Sequence, residues 1–87
     1  MYDIKYKPEY IKRLAKLEIK IQIRSKKVTD KLKQAKKRRH LKKGNPYFVE
    51  NLGQYRILYK LYEDEKIIEL LFIGTHKEYE KYYKQLF

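Results

Sequence analysis

The side chains here that could do chemistry are cations and aromatics gathered near the ends of strand-like segments: His40, Lys42, Lys43, Arg56, His76, Tyr79, Tyr82 and Tyr83. Such a set matches what cutting RNA without a metal demands. A base must take the 2′-hydroxyl proton, an acid must protonate the leaving 5′-oxygen, and fixed positive charge must meet the phosphorane. Arginine can grip a phosphate in bidentate fashion, which lysine cannot. Arg56 stands between Tyr55 and Ile57 in a strand-like run, where its charge must reach solvent or a partner. The plain alternative is an outward-facing strand residue that shares a face with Leu58, Lys60 and Tyr62. His76 follows a strand end and Gly74, a kind of place where functional side chains are often presented. Imidazole can pass protons in either direction near neutrality. The plain alternative for His76 is a cap on the next helix. His40 belongs to a basic run and reads as a neighbour of phosphate before it reads as a catalyst. Most of the ten tyrosines suit core and sheet surface, and a few near His76 could stack on unpaired bases.

Other chemistries lack their parts. There is no nucleotide-binding glycine loop, no metal-ligand cluster and no Ser/His/Asp spacing, so neither a cofactor nor a bound metal is expected. With no cysteine there is no disulfide framework and no thiolate site, which suits a reducing cytoplasm. The opening residues lack an apolar core segment, so no signal peptide is read and no membrane span is expected.

Charge sharpens the choice. A net +12 on 87 residues repels itself in a compact state, and something anionic should offset it. Residues 12–43 carry fifteen Lys or Arg against Glu18 and Asp30, net +13, while the rest has eight bases and nine acids, net −1. The run Lys36, Lys37, Arg38, Arg39, His40, Lys42 and Lys43 is its densest part. One contiguous third of the chain therefore has the charge expected of a surface that follows a phosphate backbone. A solvated lysine-rich helix is the bland alternative, but a general composition bias should raise Glu alongside Lys there, and it does not.

The elements that must position these groups form one domain over residues 1–87. Tyr2 to Lys7 alternates with a period of two and reads as a strand ending at Pro8. Proline suits the first turn of a helix, and Glu9 beside it suits the positive end of the helix dipole. From Tyr10, the residues Ile11, Leu14, Leu17, Ile21, Val28, Leu32 and Ala35 recur at three, four or seven, giving one apolar stripe through a helical hairpin. Leu17 to Ile23 alternates as a strand would, so a break between two helices is placed near 17–19. The second helix should fade in Lys36 to Arg39, before the turn Gly44-Asn45-Pro46. Tyr47 to Leu52, Gln54 to Tyr62 and Ile67 to Ile73 follow as three antiparallel strands, the last apolar on both faces and so central. Lys77 to Phe87 has helical spacing at Tyr79, Tyr82, Tyr83 and Leu86. The fold class is α+β: strand, two-helix hairpin, three-strand meander and short C-terminal helix, with the helices on one face of the sheet.

In this order the segments resemble the RelE branch of the RelE/ParE superfamily, the toxins of type II toxin-antitoxin systems. Leu52-Gly53-Gln54-Tyr55-Arg56-Ile57-Leu58-Tyr59 is similar to the family's central-strand pattern. Phe72-Ile73-Gly74-Thr75-His76-Lys77-Glu78-Tyr79 is similar to the ending of HigB-type members, and the likeness covers nearly the whole chain. The resemblance implies an mRNA interferase that enters the ribosomal A site, cuts the bound messenger, and is held inactive by a cognate antitoxin in a hetero-oligomer. It implies that Arg56 contacts the scissile phosphate, that His76 is a catalytic group, and that Tyr79 stacks on or orients the substrate, with Tyr82 and Tyr83 as competitors. Lys42 and Lys43 fall roughly where the family has lysines. Charge implies an antitoxin acidic in the segment that wraps this chain. Two alternatives remain open: a gyrase inhibitor of ParE type acting by protein binding, and an RNA-binding module without chemistry.

Overall fold

The computed structural model describes residues 2–34 and 47–86. Its elements are β1 (Asp3–Tyr6), α1 (Pro8–Ala15), α2 (Ile19–Gln34), β2 (Tyr47–Leu52), β3 (Tyr55–Tyr62), β4 (Ile67–Thr75) and α3 (His76–Leu86). The sheet order is β1-β4-β3-β2, with β1 parallel to β4 and the two other pairings antiparallel. β4 is thus internal, as its two apolar faces require. Gly53, with φ of +61°, opens the two-residue turn that joins β2 to β3.

The strand-like alternation at 17–23 resolves as helix from Ile19 onward. Leu17 and Glu18 form the break, and the Gln22 side-chain amide donates to the Leu17 carbonyl at 2.9 Å. A strand here would leave backbone groups without a ladder, whereas a helix satisfies them locally. The cost is visible on the outer face, where Ile19 and Ile23 are 71% and 54% exposed while Ile21, Ser25, Thr29 and Leu32 turn inward. Ile11, expected in the apolar stripe, is instead 54% exposed. Tyr10 takes the inward position on that turn, only 1% exposed, and burial pushes its phenol up. Ala35, the fading of α2 and the turn at 44–46 lie outside the described residues.

The helices do not share one face, and here the structure corrects the sequence reading. α1 and α2 cover a core of Tyr10, Ile21, Leu32, Phe48, Ile57, Tyr59, Ile68, Leu70 and Ile73. α3 packs on the opposite face, over Leu58, Leu71 and Phe72, through Tyr79, Tyr82 and Tyr83. Burying an aliphatic or aromatic side chain in either layer contributes roughly 1.5–3 kcal/mol.

A β-bulge sets the two layers in phase. Leu58 pairs with Phe72 but Tyr59 pairs with Leu70, so Leu71 is an extra residue in β4. Leu70 and Ile73 therefore face α1 and α2, while Leu71 and Phe72 both belong to the α3 layer. Past the bulge, Gly74 joins the α3 side.

Candidate functional site

The first turn of α3 is built by a capping box, Thr75 with Glu78. The Thr75 backbone N–H donates to Glu78 Oε1 at 2.9 Å, the Thr75 hydroxyl donates to the same oxygen at 3.1 Å, and the Glu78 N–H donates to Thr75 Oγ1 at 3.4 Å. The Thr75 amide, first among several causes, holds the Glu78 carboxyl below its ordinary value. Gly74 is required just before it. A Cβ there would lie 2.9 Å from Phe72 Cζ and 3.0 Å from Glu78 Oε1. In the segment Gly74-Thr75-His76-Lys77-Glu78-Tyr79, the glycine, threonine and glutamate thus serve to turn strand into helix.

Arg13 of α1 locks this turn from the other side. Its guanidinium lies 4.4 Å from the Phe72 ring centroid, pairs with Glu9 one turn earlier, and reaches Glu78 Oε2 at 3.5 Å. Phe72 in turn stacks on Tyr82, with centroids 4.5 Å apart. Tyr82 is therefore part of the clamp between α1, β4 and α3.

On the sheet face beneath α3, the register places Arg56 opposite Gly74 on one side and Asn51 on the other. Its guanidinium carbon lies 5.4 Å from the ring centroid of Tyr79. Tyr79 is only 6% exposed, and burial pushes its phenol up. Its ring packs against Tyr83 at 5.7 Å, and Tyr83 is half-buried. The structure therefore brings Arg56, Tyr79 and Tyr83 together. Tyr79, sunk in the layer, is shaped to hold Arg56; Tyr83 has the more open ring. His76 begins α3 on its exposed side, with Nε2 2.9 Å from Glu80 Oε1. It is not the cap of α3, since Thr75 fills that role.

Lys36, Lys37, Arg38, Arg39, His40, Lys42 and Lys43 lie outside the described residues. Among the described part of the basic tract, Lys12, Lys16, Lys20, Arg24, Lys26, Lys27 and Lys31 are exposed along α1 and α2. Among the described residues no cluster of three potential metal ligands occurs, and no helix is long and apolar enough to cross a membrane. The reading by residue type missed Arg13, Glu78 and Glu80. Two signals could have found the first pair: the Glu9/Arg13 spacing of four, and Thr-x-x-Glu at 75–78.

The arrangement defines a class: a small α+β protein whose four-stranded sheet, with a helical hairpin on one face and a short helix on the other, presents an arginine beside that short helix. It is the RelE fold. Over its full length the chain is similar to the isolated E. coli RelE toxin, covering 100% of both chains with 14% identity and a TM-score of 0.75. It is also similar to the toxin of the intact E. coli RelBE toxin-antitoxin complex, covering 86% of this chain and 96% of that one with 15% identity and a TM-score of 0.77. The archaeal RelE-RelB complex from Pyrococcus horikoshii gives 20% identity, coverage of 85% and 93%, and a TM-score of 0.70. No protein-family profile matches the sequence, and no curated protein matches it.

Proposed function

We propose that this protein is the toxin of a type II toxin-antitoxin pair and acts as a metal-independent endonuclease on messenger RNA in the ribosomal A site. The observation that carries the reading is the Arg56 guanidinium, held on the sheet face by Tyr79 next to the start of α3. Likeness of fold to RelE toxins, two of them in complex with antitoxins, supports it.

In this mechanism the 2′-oxygen attacks the adjacent phosphorus as its proton leaves to a base. The P–O5′ bond breaks as an acid protonates the departing oxygen. Arg56 meets the charge that grows on the non-bridging oxygens, and Tyr79 fixes its approach. His76 supplies a proton or accepts one, released from Glu80 when substrate arrives. Tyr83 offers a ring to an unpaired base, and the basic tract, including residues 36–43, holds the backbone. The antitoxin, acidic where it wraps this chain, covers those cations in a cytoplasmic hetero-oligomer.

The His76 pairing with Glu80 favours a second reading, an RNA-binding module without chemistry. A purified translation system distinguishes the two. Cleavage of ribosome-bound messenger by the wild type, lost in His76→Ala with ribosome affinity kept, supports the nuclease. Binding without cleavage by the wild type supports the module, and neither binding nor cleavage leads to the gyrase-inhibitor alternative.

A further inference from the structure

The described cations differ in what holds them. Arg13, Lys7, Lys26 and Lys33 each have a carboxylate within ion-pair distance. Arg56 and Lys60, both on β3, are instead held by π faces and have no carboxylate within that distance among the described residues; Lys66, at the turn before β4, lies over the Tyr2 ring in the same way. Lys60 Nζ lies 4.9 Å from the ring centroid of Tyr62 and 5.5 Å from that of Tyr47 on β2. Its cross-strand neighbour is Glu69, yet that carboxylate accepts the Tyr62 hydroxyl at 3.0 Å and pairs with Lys7 at 3.5 Å. The glutamate is committed elsewhere, and Lys60 keeps its charge for an outside anion. A ring orients an ammonium without neutralising it, so a cation between tyrosines remains able to meet a phosphate.

Arg56 and Lys60 also share a sheet face, being four residues apart, a separation of roughly 13 Å along a strand. Tyr47, Lys60 and Tyr62 are all half-buried, so each keeps surface for contact. We propose that Lys60, between Tyr47 and Tyr62, is a second contact point for single-stranded RNA, taking a backbone phosphate further along the strand whose scissile phosphate lies at Arg56. The tyrosines orient the ammonium and offer ring edges to the adjacent nucleotide. The proposal rests on the nuclease reading and extends it: the RNA follows β3 instead of touching the sheet at one point.

The test is binding of a fully 2′-O-methylated single-stranded RNA, which cannot be cut, followed by fluorescence anisotropy over a range of salt. Each phosphate contact on a single strand contributes about 0.7 to the slope of log affinity against log salt, so Lys60→Met should lower the slope by about that amount and weaken binding at low salt. Lys60→Arg should restore the slope. Thermal melts of all variants check that the sheet is intact, and Lys60→Gln serves if the methionine variant melts early. If Lys60→Met and Lys60→Gln bind as the wild type does while Arg56→Ala binds more weakly, the second contact is wrong and the nuclease reading stands. If the wild type neither binds this RNA nor cuts ribosome-bound messenger, the nuclease reading falls and takes this contact with it.

Discussion

Arg56 on β3 and Tyr79 on α3 meet with guanidinium carbon and ring centroid 5.4 Å apart, one residue from the sheet and one from the helix that covers it. The ring presents its negative face to the cation, an attraction of about 0.5–2 kcal/mol depending on desolvation. A flexible side chain is thereby aimed without a carboxylate to cancel its charge.

Arg56→Ala should reduce messenger cleavage by roughly 10²–10³-fold, the usual cost of losing one preorganised charge at a transition state. Its melting temperature should stay close to that of the wild type. Tyr79→Leu keeps most of the apolar packing but frees the guanidinium, so turnover should fall while RNA affinity falls less. Single-turnover cleavage kinetics beside thermal melts would check both, and an active Arg56→Ala protein would refute the assignment.

For His76 the expected loss on substitution by alanine is about 10²-fold in cleavage rate, with affinity for ribosome-bound messenger retained. Glu80→Gln removes the partner of the imidazole and should leave cleavage substantially intact. The pair of variants separates a proton carrier from a residue that only ties down the surface of α3.

Gly74→Ala places a methyl group where Phe72 and Glu78 already stand. Overpacking of this kind costs roughly 1–3 kcal/mol. Denaturant melts should show that loss, and hydrogen exchange should show it concentrated in α3. A fully stable alanine variant would mean that the ring and the cap can move aside freely.

The depressed Glu78 carboxyl gives a pH dependence of known sign. Its charged form is favoured in the folded state by the Thr75 amide, so the stabilisation is complete above the ordinary glutamate value of 4.5 and is lost as pH falls through the lower folded value. Glu78→Gln should lower stability near neutrality and show a flatter acid limb than the wild type. Thr75→Ala should cost about 1 kcal/mol through the same cap. Melting temperature against pH for the three proteins checks this.

Most elements were legible because their periods are clean. Ile67 to Ile73 reads as an internal strand from its continuous apolar run, and Pro8 marks the start of α1. The side on which α3 packs was not legible, since a short helix rich in tyrosine suits either face of a sheet. Ile11 was misplaced because Tyr10 competes for the same inward turn, and it is the Tyr10 ring, 1% exposed, that joins the core while Ile11 is left 54% exposed. In the site, Arg56 could be picked out by type, but the sinking of Tyr79 and the turning of His76 to Glu80 depend on the phase of α3 and on the cap that starts it.

The extra residue at Leu71 gives β4 a consequence of its own. Alternation before it is set by the pairing with β1, and alternation after it by the needs of α3, so one strand runs in two frames. Deleting that residue would restore strict alternation, with Leu70 and Ile73 still facing α1 and α2 and Phe72 and Gly74 still on the side of α3, and would cost the α3 layer one side chain. The bulge, where the two frames are joined, is thus the place at which β4 should accept the loss of a residue without turning its later segment over.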